Sequence, residues 1–133
     1  MLKNISYNDS KVFDEINNYV GKPYTIFQRL RIGGIGSSKL IINKADSKIS
    51  NLLNLDNNIN KCNIEIRPKG IIIRFRSLLE TYGLIIPFFK LKLFKGKANE
   101  YSIYIDNFFV KVQVNKKDEH DFFKKITKMR ISN

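Results

Sequence analysis

The stretch CNIEIRPKGIIIRFR, residues 62 to 76, leaves few folds open to the chain that contains it. A two-residue loop at Pro68 and Lys69 sets Ile66 opposite Ile71 and Ile64 opposite Ile73. All four then share one face, and Phe75 continues it. A slip of one residue would turn the whole set to water, so turn and pattern agree on a single register. Pro68 and Gly70 suit the second and fourth positions of a type I turn, although primed turns dominate hairpins with two-residue loops.

The same test succeeds on YSIYIDNFFVKVQV, residues 101 to 114. A loop at Asp106 and Asn107 pairs Ile105 with Phe108, Ile103 with Val110 and Tyr101 with Val112. Asp and Asn tolerate the left-handed backbone that such a tight turn needs. Two self-consistent hairpins make an antiparallel sheet the expected scaffold.

Helices flank it. Val12, Phe13, Ile16 and Val20 recur at helical spacing in residues 9 to 20, with Asp9 or Ser10 as cap and Gly21 then Pro23 as the stop. Residues 118 to 130, DEHDFFKKITKMR, carry Phe122, Phe123, Ile126 and Met129 as a stripe. Acids open this helix and bases close it, as the helix dipole favours. TIFQRLRI alternates and reads as a strand, with Ile26, Leu30 and Ile32 on one face and Phe27, Arg29 and Arg31 on the other. KLIIN (39 to 43) and FKLKLF (89 to 94) read as further strands, the latter with Leu91 and Leu93 facing in. Residues 44 to 61 fit either a short helix through Ile49, Leu52 and Leu53 or an asparagine-rich loop.

The expected fold is mainly β within the α+β class: an antiparallel half-barrel plugged by the C-terminal helix, with an N-terminal helix added. A length of 133 residues suits a single domain, 1–133. Within it, 1–37 would be a helix-and-strand extension, and 38–130 the barrel core with its helix at 118–130.

IEIRPKGIIIRFR, IIPFFKLKL, EYSIYIDNFFVKV and FFKKITKM together resemble the bacterial pleckstrin-homology-like domains, related in plan to GRAM domains. The resemblance covers residues 62 to 130. IPFFKL (86 to 91) resembles the family's strand in which an apolar-Pro-aromatic start precedes an inward aliphatic residue. It implies a half-barrel that binds lipids, peptides or proteins and rarely catalyses. The N-terminal helix and the glycine-rich stretch extend beyond the family core.

Composition narrows the chemistry. A single cysteine, Cys62, rules out an intramolecular disulfide and a thiolate cluster. No apolar run has the length of a signal peptide or a membrane-spanning helix, so neither is expected. RIGGIGSSKLII (31 to 42) lacks the contiguous Gly-Lys-Ser of a phosphate-binding loop, and Lys39 stands where the third glycine of a dinucleotide fingerprint belongs. It reads as a turn that uses positive backbone dihedrals between two strands. KGIIIRF (69 to 75) matches an RNA-recognition signature only at Lys69 and Gly70. Isoleucines occupy the stacking positions. His120 sits among acids in a first helical turn without a second histidine, and Cys62 has no neighbouring histidine to activate it. No catalytic residue, metal site or cofactor is therefore expected.

Charge is the positive signal. The chain has a net charge of +12, of which +8 lies in residues 61 to 117. Residues that alternate with the inward set place Arg67, Arg74, Arg76, Lys90, Lys92 and Lys111 outward, with Glu65 as the exception. If these strands are neighbours, the outer sheet is a basic surface for an anionic ligand; otherwise it is a solvated face whose lysines prevent edge pairing.

The reading is a non-catalytic, cytoplasmic binding module for a protein partner or an anionic membrane surface, with peripheral membrane attachment as one outcome. The alternative is a small nucleic-acid-binding barrel that uses the same bases, with Tyr104 and Phe109 as stacking rings. Outward Phe109, Tyr104 and Phe27 imply either cover by the helix at 9 to 20 or pairing of chains as a homodimer.

Overall fold

A computed structural model describes residues 1–56, 59–97 and 99–132. The strands are β1 (Leu2–Asn4), β2 (Leu40–Ala45), β3 (Lys61–Arg67), β4 (Gly70–Ser77), β5 (Glu80–Pro87), β6 (Lys92–Lys95), β7 (Glu100–Ile105) and β8 (Phe108–Gln113). The helices are α1 (Ser10–Val20), α2 (Ile26–Ile32), α3 (Ser47–Leu53) and α4 (Lys117–Ile131). The strands form one open antiparallel sheet in the order β1-β5-β4-β3-β2-β8-β7-β6, so the fold is α+β and mainly β.

Both hairpins have the register that their apolar patterns dictate. Ile64 pairs with Ile73 and Ile66 with Ile71; Ile103 pairs with Val110 and Tyr101 with Val112. At the second turn Asp106 adopts a φ of 52°.

β2 joins the two halves of the sheet. Leu40 and Ile41 pair with β3, whereas Ile42, Lys44 and Ala45 pair with β8 across a register shift. Such an irregularity bends a strand and increases its twist, so the two halves curl around a shared interior. Into that interior point Ile64, Ile66, Ile71, Ile73, Phe75, Leu84, Ile86, Ile103, Ile105, Val110 and Val112, all buried. α4 fills it with Phe122, Phe123 and Ile126, and the Phe123 ring stacks on Tyr101 at 4.3 Å. α3 adds Ile49 and Leu53.

A second, smaller core lies on the opposite side of the sheet. Ile72 and Ile85 point away from the main interior and are covered by Ile16 and Val20 of α1, with Met1, Ile5 and Val12 around them. This explains the unbroken Ile71-Ile72-Ile73 run, since β4 is buried on both faces. α1 thus does cover a second apolar surface, but it is this one and not Tyr104, Phe109 or Phe27.

Three expectations need correction. Residues 26 to 32 are helix, not strand. Thr25 accepts from the Gln28 amide at 3.3 Å and the Gln28 side chain accepts from the Thr25 amide at 2.9 Å, a reciprocal capping box that outweighs a short alternation. The glycine-rich stretch therefore ends a helix rather than turning between strands. Gly33 and Gly34 take φ of 87° and 102°, and Ile35 and Ser37 then bond to Ile66 and Ile64 of β3. The strand expected at 89 to 94 begins only at Lys92, because the Lys90 and Leu91 amides turn back onto the Pro87 carbonyl. Leu91 is nonetheless buried, and Leu93 packs against the core. Within 44 to 61 the helix is realised as α3; Asn57 and Asn58 lie outside the described residues.

Candidate binding surfaces

The six cations expected on one outer face are divided by β2 into two groups. Arg67 is not on a surface at all. It is 6% exposed, and its guanidinium donates to Glu65 at 2.6 Å, to the Asn17 side chain at 3.1 Å and to the Gly21 carbonyl at 2.9 Å. It ties β3 to the end of α1 and is withdrawn from any ligand site. Arg74 donates to the other Glu65 oxygen at 2.5 Å. Burial alone would push the Glu65 carboxyl up. The hydrogen bond from Arg67 and the charge of Arg74 outweigh it and hold the carboxyl below its ordinary value. Glu65, the dissenting acid of the sequence pattern, is the partner of both arginines.

Arg76 remains exposed. It lines an open groove of about 440 Å³ with Lys39, Lys61, Arg74, Asn63 and Asp56.

Lys92 and Lys111 lie on the outer face of β6, β7 and β8. Lys92 sits opposite Tyr104, Tyr104 opposite Phe109 and Lys111 opposite Ser102, and Lys44 opposite Lys111. Phe94 is opposite Ser102. The Phe94 and Tyr104 ring centres are 5.8 Å apart, and those of Tyr104 and Phe109 are 5.7 Å apart. Beside them is a groove of about 700 Å³ lined in part by Phe89, Lys90, Lys92, Phe94, Tyr104 and Arg130. Lys90 stands 3.8 Å from Asp106.

A third surface follows from α2 being a helix and not the expected strand. Tyr24 and Ile32 anchor α2 to the main core. Ile26, Phe27 and Leu30 then project outward, 74%, 84% and 75% exposed, and no residue of this helix is buried. Exposed apolar side chains clustered in this way mark an interaction site. Arg29 and Arg31 lie among them, and residues 16 to 45 contain five basic residues and no acid. That acid-free run was the legible signal. At the same end of the sheet, the Lys69 amide bonds to the Val20 carbonyl and the Phe88 amide to the Lys69 carbonyl. The connection after α1, the β3–β4 turn and the loop after β5 therefore meet, bringing exposed Lys22, Lys69 and Phe89 to that end.

The glycine-rich stretch shares a cleft with Asp118, Glu119 and Asp121 at the start of α4, and the Gly33 and Gly34 carbonyls accept from Lys125. Acids at that position oppose a phosphate. Cys62 is buried, and burial pushes its thiol up to about 12. His120 lies against Tyr101, with ring centres 5.9 Å apart. Among the described residues no group of three or more His, Cys, Asp or Glu could hold a metal ion, and no helix is long and apolar enough to cross a membrane. Comparison of the chain with family models, with curated proteins and with solved structures finds no match.

Proposed function

We propose that this chain is a non-catalytic binding module that docks peripherally on an anionic membrane surface through α2 and the loops beside it. The observation that carries this reading is the trio Ile26, Phe27 and Leu30, almost fully exposed on one helical face amid cations. Full burial of such a side chain is worth about 1.5–3 kcal/mol. Each cation near an anionic leaflet adds about 1 kcal/mol. Lys22, Arg29, Arg31 and Lys69 can supply the second term while the trio enters the acyl boundary. Two modest contributions of different kind give reversible attachment that salt weakens.

A non-polar protein partner would use the trio without the charge requirement, and a homodimer would bury it against a second copy. Co-sedimentation with vesicles separates these readings. The wild-type protein is expected to pellet with phosphatidylglycerol-containing vesicles and to remain in solution with pure phosphatidylcholine. The double change Phe27→Glu and Leu30→Glu is expected to abolish pelleting. Absence of pelleting by the wild type, with a dimer that the same double change dissociates, would replace the membrane reading with self-association.

A further inference from the structure

We infer that the outer face of β6, β7 and β8 is a separate binding surface for single-stranded nucleic acid. It shares no residue with α2, and Phe89, in the loop after β5, borders both surfaces. The argument begins with what the sheet brings together. Phe94, Tyr104 and Phe109 come from three neighbouring strands and touch in series, at 5.8 Å and 5.7 Å between ring centres. Lys92, Lys111 and Lys44 occupy the alternate positions of the same face. The sequence separates these groups by up to 67 positions between Lys44 and Lys111, so only the β2–β8 pairing makes them a lattice.

Rings that alternate with cations suit a ligand that presents flat bases and a negative backbone at regular intervals. Stacking tolerates any base, because every base has a π face, whereas the lysines contact phosphates. Tyr104 and Phe109 are only partly exposed. They are too shallow to enter a bilayer yet open to a flat base laid over them. Phe94, at 58% exposure, and Phe89, at 83% exposure, extend the apolar surface toward the adjoining groove. Arg130 of α4 lines that groove from the other side. Among the described residues the acids of this face lie at its two ends: Glu100 accepts from Asn43 at 3.0 Å, and Asp106, 3.8 Å from Lys90, also lines the groove. Neither interrupts the ring row. A duplex hides its base faces, so the surface should prefer single strands.

The test is fluorescence anisotropy with labelled oligo-dT and oligo-U of about fifteen nucleotides, and a duplex of equal length, over a range of salt. Single strands are expected to bind at least about tenfold more tightly than the duplex, with affinity falling as salt rises. Phe94→Ala and Tyr104→Ala are each expected to weaken binding about fivefold or more with the salt slope unchanged, whereas Tyr104→Phe retains it. Lys92→Gln and Lys111→Gln are expected to flatten the slope by about 0.7 each. The α2 variant Phe27→Glu is expected to bind as wild type. Failure of the wild type to bind single strands at low salt would overturn the inference. So would equal binding of duplex and single strand with no effect of the ring changes, or equally effective displacement by polyglutamate. The last result would indicate a surface for acidic protein segments.

Discussion

The Asp46 carboxylate joins α3 to β8 through the backbone of Phe109. One oxygen accepts from the Phe109 amide at 2.9 Å, and the other caps α3 by accepting from Lys48 and Ile49 at 3.1 Å and 3.2 Å. The Asp46 amide returns a bond to the Phe109 carbonyl at 3.1 Å. A single side chain thus satisfies three donors and fixes the strand that carries Phe109. Asp46→Ala removes a helix cap, worth about 0.5–2 kcal/mol, and leaves the Phe109 amide unpartnered at about 1–3 kcal/mol more. Urea denaturation should show a lower midpoint for this variant, with Asp46→Asn intermediate. An unchanged midpoint for Asp46→Ala would mean that the carboxylate holds nothing.

The Glu65 carboxylate between Arg67 and Arg74 makes acid stability a second observable. Its folded value lies below the ordinary 4.5. Its contribution is therefore complete above the unfolded value and is lost as pH falls through the folded one. Glu65→Ala strands the buried Arg67 charge, and removing one partner of a buried pair costs about 3–5 kcal/mol. Thermal melts at neutral pH should show that loss. As pH falls through the folded value, the difference between wild type and variant should shrink, since the wild-type carboxyl is then itself losing its charge.

Gly70 opens β4 where three elements crowd. A Cβ there would lie 2.6 Å from the Val20 side chain and also collide with the Ile86 carbonyl, a backbone atom that cannot turn aside. Gly70→Ala should destabilise the fold by about 1–3 kcal/mol or more, as overpacking does. Amide exchange in α1 should accelerate most, because Val20 is the side chain displaced.

Cys62 offers a probe of the closed interior. It is 3% exposed, and its thiol is pushed up to about 12, so thiolate is scarce at neutral pH. Alkylation by iodoacetamide should be slow in the native protein and rapid in urea. Rapid native labelling would mean that β3 opens readily near its start.

The two hairpins were legible because two independent constraints, turn position and apolar alternation, had to agree, as they do at Ile64–Ile73 and Ile103–Val110. The closing helix was legible because its stripe spans several turns. α2 was not, since over seven residues Ile26, Leu30 and Ile32 fit a period of two, whereas in the helix Ile32 turns to the core and Ile26 and Leu30 turn outward. Thr25 and Gln28, at capping-box spacing, were the discriminating pair. Arg67 looked like an outward cation because alternation assigns a face and not what covers it. Only the return of α1 onto Ile72 and Ile85 brings Asn17 and Gly21 to its guanidinium. The division of the six cations has the same origin. The strand order places β2 between β3 and β8, and nothing within either hairpin encodes that pairing. Lys92 and Lys111 do lie on the outer face, where Tyr104 stands opposite both Lys92 and Phe109. Phe94 alternates with inward Leu93 and shares the outer face with Lys92.

The most direct measurement of membrane docking uses the absence of tryptophan from the chain. Phe27→Trp places a single indole on the exposed face of α2. With anionic vesicles its emission should shift to the blue and be quenched by lipids brominated on the acyl chain, and neither change should occur with neutral vesicles. An indole that stays water-exposed and unquenched on anionic vesicles would contradict insertion of α2.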